Sequence, residues 1–337
     1  MGVKNLHSFL RKKIPNIYEK KSFEQLRDQT LAIDTSIFMC KYKSSLGKKF
    51  LSGFYTMIQK LVLYHINFIF ILDGKAPPEK EKERESRILT RRKVKQRVEL
   101  IIEEYHQYLD DTNMDILEYK TLSSYIDTKK KRMERDVTVD DIHFWMFKLK
   151  KSLVSISVDD YDLLKKMFDM MNVHYLTSED FQEAENLCVL LCKYEIVDGI
   201  LTEDTDAIAY GTKKMYFNVN FRNETVELLQ LDKILEHLEI TYEQLRDFCI
   251  MCGTDYNTNI PLIGPQKSFD LIQLHKSLDS ISNHIDTTIL DYKIVRNLFT
   301  CTRFEPPIQE VKSCDNCTFH DLEVKRFLFS NNIEKLY

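Results

Sequence analysis

Leu31-Ala32-Ile33-Asp34 is an apolar run that ends on a carboxylate, and the same pattern returns twice. Phe68-Ile69-Phe70-Ile71-Leu72 runs into Asp73, and Gly199-Ile200-Leu201 leads to Asp204 and Asp206. Short continuous apolar runs of this kind read as strands buried on both faces, as in a parallel sheet. In open α/β sheets, functional groups gather outside the carboxyl ends of the strands. Three such strands therefore aim several negative charges at one crevice. Glu183 and Glu185 open a further apolar stretch, and Asp255 follows Gly253-Thr254, which completes a set of seven acids. Such a cluster repels itself unless cations hold it. Hard oxygen donors at this density suit Mg2+ or Mn2+. Two divalent ions on carboxylates are the usual apparatus for in-line displacement at phosphorus.

The surrounding pattern supports a sheet. Residues 30–38 read as a strand, 50–64 as a helix and 67–72 as a second strand, the start of a βαβ unit. Further strands are expected at 173–176, 196–202 and 214–218. Helices are expected at 3–14, 157–171, 184–193, 231–238, 242–251 and 269–275. Residues 79–151 are charged and helical in pattern, with no strand signal. They read as helical projections standing off the sheet, without a core of their own. The organisation expected is a nuclease-type region at 1–97, a helical insertion at 98–151, a return to the sheet at 152–258 and a helical continuation at 259–337.

At 337 residues and 43% hydrophobic, the chain can bury a sizeable core. Its longest apolar segment, 61–72, is interrupted by His65 and Asn67 and is too short for a bilayer span. No secretory signal is visible, and Leu6 stands where a myristoylation signal wants Ser or Thr. Of the eight cysteines, Cys188, Cys192, Cys249 and Cys252 fall in apolar helical patterns and read as buried thiols. Cys314-x-x-Cys317 lies in a polar stretch and could form half a zinc site with Cys301, although no second pair matches it.

The net charge of −4 is unevenly spread. Residues 80–97 hold nine Lys or Arg against three Glu. Cations beside an acidic metal site are what a phosphodiester substrate needs, and a solvated helix face is the plainer reading. Ile263-Gly264-Pro265-Gln266-Lys267 places Gly before Pro at a helix start. Free backbone N–H groups there, with Lys267 in the first turn, make a phosphate-binding surface.

These motifs together resemble the flap endonuclease/XPG family of structure-specific 5′ nucleases along nearly the whole chain. Met1-Gly2-Val3-Lys4-Asn5-Leu6 resembles the family N-terminus, and Ala32-Ile33-Asp34-Thr35-Ser36 its first metal strand. Phe70-Ile71-Leu72-Asp73-Gly74-Lys75-Ala76-Pro77-Pro78 resembles the second metal strand. Glu183-Ala184-Glu185, Thr202-Glu203-Asp204-Thr205-Asp206 and Gly253-Thr254-Asp255-Tyr256 follow in family order. Residues 263–267 resemble the family's helix–two-turn–helix.

The resemblance implies an α/β fold: a mainly parallel twisted sheet flanked by helices, PIN-like, with a helical arch or cap and a helix–two-turn–helix. It implies that Asp34, Asp73, Glu183 and Glu185 hold one Mg2+ or Mn2+. Asp204, Asp206 and Asp255 hold the other, with Glu185 between. On a regular helix Glu183 and Glu185 diverge unless both lie at its entrance. Asp204 and Asp206 are expected on an extended segment, facing the same ions. Lys80 and Arg87, seven apart on one helix face, are implied as the catalytic clamp on the scissile phosphate. Gly2, Arg84, Arg91, Gly264, Gln266 and Lys267 are implied DNA contacts, with a K+ ion at the helix–two-turn–helix.

The chain also departs from the family. Cys40 stands where a base-stacking Tyr is usual; Phe38 and Tyr42 are the alternatives, each also readable as core. Leu262-Ile263-Gly264 replaces Gly-Ile-Gly, which weakens the K+ expectation. The tail shows no sliding-clamp motif, so that partner is not implied. Residues 129–132 read as a nuclear signal or as a solvated arch face. The function implied is Mg2+-dependent cutting of branched or 5′-flap DNA, with 5′-3′ exonuclease activity, in replication, repair or recombination. The alternatives are a junction- or bubble-type nuclease and a silent DNA-binding relative. A monomer is expected, in the nucleus (a host's, if the genome is viral) or at a cytoplasmic replication site.

Overall fold

The computed structural model describes residues 2–75, 78–110, 115–131, 133, 135–153, 155–178, 182–300, 305–318 and 322–332. Its strands are β1 (Glu19–Ser22), β2 (Thr30–Asp34), β3 (Asn67–Leu72), β4 (Tyr175–Thr177), β5 (Gly199–Leu201), β6 (Lys214–Asn220) and β7 (Thr225–Gln230). They form one sheet in the order β1-β7-β6-β5-β2-β3-β4. From β6 to β4 all neighbours are parallel, and β7 runs antiparallel to both β6 and β1. Ile33 pairs with Phe70 on one side and Leu201 on the other. This register brings the carboxyl ends of β2, β3 and β5 level, so the acids after them share one edge.

Two apolar layers clothe the sheet. On one face lie α1 (Leu6–Lys13), α8 (Ala184–Lys193), α10 (Leu231–Leu238), α11 (Tyr242–Cys252) and α12 (Pro265–His275), packed around residues such as Leu187, Ile200 and Phe248. On the other lie α2 (Thr35–Leu46), α3 (Phe50–Leu63) and α7 (Val158–Met170), around Phe54, Phe70 and Phe168. The C-terminal segment returns to this second layer. The Cys314 amide donates to Asn67 Oδ1 at 2.9 Å, and α15 (Leu322–Asn332) packs on α3 and α7. Cys314 is thus a core residue. Among the described residues no group of three His, Cys, Asp or Glu is arranged as a metal site, so the zinc reading gains no support; Cys301 lies outside them. Cys188, Cys192, Cys249 and Cys252 are buried free thiols, as expected. No described helix is long and apolar enough to cross a membrane.

Three expectations need correction. The strand expected at 30–38 ends at Asp34, because the Asp34 carboxylate accepts the Ser36 amide at 3.1 Å and caps α2. β1 and β7 were not among the expected strands; β1 is polar and closes one sheet edge on β7, with Lys20 opposite Glu227 and Lys21 opposite Val226. The charged insertion does have a core. α4 (Glu81–Asp110), α5 (Lys120–Lys130) and α6 (Val139–Ser152) bury Ile101, Tyr105, Tyr119, Leu122 and Met146 against one another. Of the basic run at 129–132, Arg132 lies outside the described residues.

A cap with its own core should loosen independently of the sheet. Leu122→Ala empties a fully buried site and should cost about 2–5 kcal/mol of cap stability. Hydrogen exchange should accelerate in the amides of α4, α5 and α6 and stay unchanged in β2, β3 and β5; acceleration spread over the whole chain would contradict a separate cap core.

Candidate active site

The acid-bearing edge opens into a cleft of about 420 Å3. Asp73, Glu183, Glu185, Asp204 and Asp255 line it from below, and Arg84, Arg87 and Arg91 line it from the base of α4; Lys80 joins them from the 3-10 turn Pro78–Lys80 just before that helix, so it does not share a helix with Arg87 as expected. Asp34 and Asp206 sit behind this lining, almost wholly buried. All seven acids are therefore brought to one place, in two depths. α8 begins at this point: Glu183 is its N-cap residue and Glu185 lies in its first turn. Both stand at the helix entrance, which removes the expected divergence and favours their negative charge. The Asp73 carboxylate accepts the Ala184 amide at 3.0 Å, tying β3 to that entrance. Thr202 donates to Asp34 at 2.9 Å.

Asp204 and Asp206 do not lie on an extended segment. Asp206 opens the short helix α9 (Asp206–Ala209), and its amide donates to Asp204 Oδ1 at 3.0 Å. Gly2, implied as a DNA contact, packs on this turn instead. A Cβ at Gly2 would fall 2.1 Å from Asp204 Oδ1, and its φ is +77°.

Cations already balance part of the cluster. Lys80 Nζ lies 2.7 Å from Glu183 and 3.4 Å from Asp255, and Arg87 lies 2.7 Å from Asp255. Glu183 therefore shares a counterion with Asp255, on the side first assigned to the second metal. Burial opposes the Lys80 charge, but Glu183, Asp206, Glu185 and Asp255 raise its pKa above the ordinary range. Asp255 is buried too, yet Lys80 and Arg87 hold its carboxyl below the usual value. The remaining acids are less compensated. Burial, then the Asp73 charge, pushes Asp34 up to about 8. Burial, then Asp34 and Asp204, raises Glu185 well above the carboxylate range. Asp206 is raised in the same way by burial and Asp204.

Divalent ions fit this donor set. Among the described residues neither oxygen of Asp206 meets a hydrogen-bond donor, although both are buried. Buried charged oxygens without a donor are costly and call for a cation. Among the described residues the acids do not stand at the spacing of a closed cage. Lys80 occupies the space between Glu183 and Asp255, and an ion joining both would displace it.

Of the two readings open for Phe38 and Tyr42, the core reading holds. Phe38 is 1% and Tyr42 9% exposed, and both belong to the core. The tyrosine that lines the cleft is Tyr161, from α7, beside Cys40 and Ser36. Its hydroxyl lies 3.3 Å from Ser36 Oγ, which in turn donates to Asp73. Nothing in the helical periodicity of 157–171 distinguishes Tyr161 from a core residue.

The turn before α12 is built as anticipated, with Gly264 at the N-cap and Pro265 at the first helical position. Lys267 and Gln266 are exposed; Gln266 donates to Asp270 at 2.7 Å. The K+ expectation gains no support from the turn. Asn259 Nδ2 donates to Ile260 O and Ile263 O at 3.2 Å, and Lys267 Nζ reaches Leu262 O at 3.4 Å. Internal donors thus reach three carbonyls of this turn.

Comparison with known proteins agrees with this arrangement. The XPG N-terminal domain model matches residues 1–95 and the XPG I-region model residues 172–255. A probable RAD2-like endonuclease of Invertebrate iridescent virus 3 is 32% identical over 329 residues, covering 89% of this chain and 85% of its own. The chain belongs to the XPG family of 5′ nucleases. Flap endonuclease 1 of Babesia bovis is 25% identical over 347 residues, 98% of this chain and 45% of that protein. The catalytic core of Rad2 in complex with DNA substrate superposes with a TM-score of 0.65 at 17% identity, covering 98% of this chain and 95% of that one. The shared fold is thus that of the PIN-like 5′ nucleases, and this XPG-family chain is a structure-specific nuclease.

The raised acids imply a pH dependence in the metal-free protein. Asp34, Glu185 and Asp206 bind protons more tightly folded than unfolded, so unfolding releases protons above the ordinary carboxylate pKa. The Asp34 contribution is full below about pH 4 and is lost as pH rises through about 8, and those of Glu185 and Asp206 are likewise lost as pH rises above the carboxylate range. With EDTA, the melting temperature should fall from pH 5 to pH 8.5, and Mg2+ should restore it most at the upper end. An EDTA curve that rises across that interval would contradict the acid cluster.

Proposed function

We propose that this XPG-family nuclease is Mg2+-dependent, cuts 5′ flaps at their base, and removes nucleotides from 5′ ends during replication, repair or recombination. The observation that carries the reading is the two-sided cleft: five acids below, Lys80, Arg84, Arg87 and Arg91 above. A phosphodiester carries one negative charge per link, and this cleft offers fixed cations for the strand and oxygen donors for divalent ions. Divalent ions, when bound, supply Lewis acidity for displacement at phosphorus.

The chain's own residues do the rest. Asp34, Asp73, Glu183, Glu185, Asp204, Asp206 and Asp255 provide the oxygen donors, and Asp206 is the least satisfied of them. Lys80 and Arg87, which pair with Glu183 and Asp255, would be released to face the scissile phosphate once those carboxylates held divalent ions. There they stabilise charge that develops in the transition state. Arg84 and Arg91 extend the phosphate track along α4. Tyr161 offers an aromatic face to a base beside the reacting link, since stacking tolerates any base. Gly264, Gln266 and Lys267 hold the backbone of the duplex at the start of α12, where free amides favour anions.

The test is cleavage of end-labelled 5′-flap, 3′-flap, bubble, Holliday-junction and single-stranded DNAs, with Mg2+ and with EDTA. Metal-dependent cutting at the base of the 5′ flap supports the reading. Preference for the bubble or junction would shift it to a bubble- or junction-type activity. Binding without cutting of any substrate would make the chain a silent relative. Asp204→Asn should abolish cleavage and leave DNA affinity intact. Lys80→Ala should lower kcat about 100-fold or more with little change in KM. Tyr161→Ala should weaken flap binding by about 1–3 kcal/mol while Tyr161→Phe is tolerated; equal affinity of all three proteins would return Tyr161 to a packing role.

A further inference from the structure

Behind the acids lie two tyrosines that the chemistry above does not use. Tyr256 follows Asp255 directly, and its hydroxyl donates to Glu183 Oε2. The Tyr210 hydroxyl meets the Tyr256 hydroxyl from the other side. A carboxylate only accepts, so the Tyr256 proton is committed to Glu183. The Tyr256 oxygen is then left to accept, and Tyr210 becomes its donor. The chain Tyr210–Tyr256–Glu183 therefore has one direction.

The Tyr256 ring has a second task. Lys80 Nζ lies 5.0 Å from its centroid, within cation–π range. Phe299 meets both tyrosine rings edge to face, at 5.4 Å for Tyr256 and 4.8 Å for Tyr210. Phe299 is fully buried and ends α14 (Tyr292–Leu298), which packs on α11. One side chain thus holds a prospective metal-binding acid through its hydroxyl and a phosphate-binding cation through its ring. Its own position is set by a fixed aromatic wall.

We propose that Tyr256, backed by Tyr210 and Phe299, is a positioning residue that orients Glu183 for metal and Lys80 for phosphate. The proposal rests on the metal-dependent reading above. Groups that orient metal ligands through hydrogen bonds are typically worth 10–100-fold in metal affinity or activity. Tyr256→Phe removes the hydroxyl and keeps the ring on Lys80 and Phe299. Tyr256→Leu removes both.

The experiment measures Mn2+ binding by calorimetry without DNA, DNA affinity in EDTA, and steady-state kinetics for wild type and variants. Tyr256→Phe should weaken Mn2+ binding about 10-fold and lower kcat, with KM, DNA affinity in EDTA and melting temperature unchanged. Tyr210→Phe should act in the same direction and less. In a Glu183→Gln background the Tyr256→Phe effect on Mn2+ affinity should vanish, because the two changes act on one ligand. Tyr256→Leu should lower kcat further without weakening Mn2+ binding further, reporting the loss of Lys80 orientation. Unchanged Mn2+ affinity in Tyr256→Phe would overturn the proposal while leaving the nuclease reading in place. The same Tyr256→Phe loss in the Glu183→Gln background would also overturn it. Wild-type protein that takes up no Mn2+ would overturn the metal-dependent reading, and the proposal with it.

Discussion

Seven carboxylates gathered at one sheet edge repel each other, and the rest of the molecule is arranged around that repulsion. Three of them, Asp34, Asp204 and Asp206, are also no more than 3% exposed. Burial penalises their charge, and each neighbouring acid adds to the penalty. Lys80 is the main internal remedy, reaching Glu183 and Asp255 together. Arg87 adds to the same side. Nothing comparable serves Asp206, whose oxygens have no donor among the described residues. A protein that folds with such a site is less stable at that point than it could be. The cost makes sense where cations are bound for chemistry.

The sheet supplies the convergence. Parallel strands in level register place Asp34 and Asp73 side by side, and β5 delivers the 202–206 turn next to them. Helix entrances complete the set, because α8 and α9 both begin on acids. Their exposed amide ends favour negative charge. Gly2 then closes the bottom of the site, where any side chain would collide with Asp204. The cap carries its own core and presents the basic base of α4 to the acids.

Much of this was written in local pattern. The apolar runs ending at Asp34 and Asp73 are visible because a strand buried on both faces must be continuous in hydrophobic residues. The start of α12 is visible because Gly264 and Pro265 have few other uses in that order. The edge strand β1 and its neighbour β7 were illegible, since Glu19-Lys20-Lys21-Ser22 resembles any solvated segment and the apolar residues of β7 are interrupted by Glu227. The cap core was hidden for a related reason. Tyr105, Tyr119 and Met146 are scattered among charges, and only the folding of three helices on one another brings them together. Leu262, 92% exposed at φ +64°, departs from a glycine pattern in a way the sequence flags but does not explain.

The sequence by itself determined the acids, their order, the sheet that carries them and the basic segment that faces them. Strand periodicity and helix-start chemistry are local, and short windows of residues encode them. Only the tertiary structure decided which acids are deep and which line the cleft, because depth depends on packing from distant elements. It alone paired Lys80 with Glu183 and Asp255, replaced Phe38 and Tyr42 by Tyr161 at the cleft, and filled the turn carbonyls with Asn259 and Lys267. Each of these is a contact between residues far apart in sequence or aimed by a particular backbone turn. No periodicity records such contacts, since they exist only once the chain has closed around them.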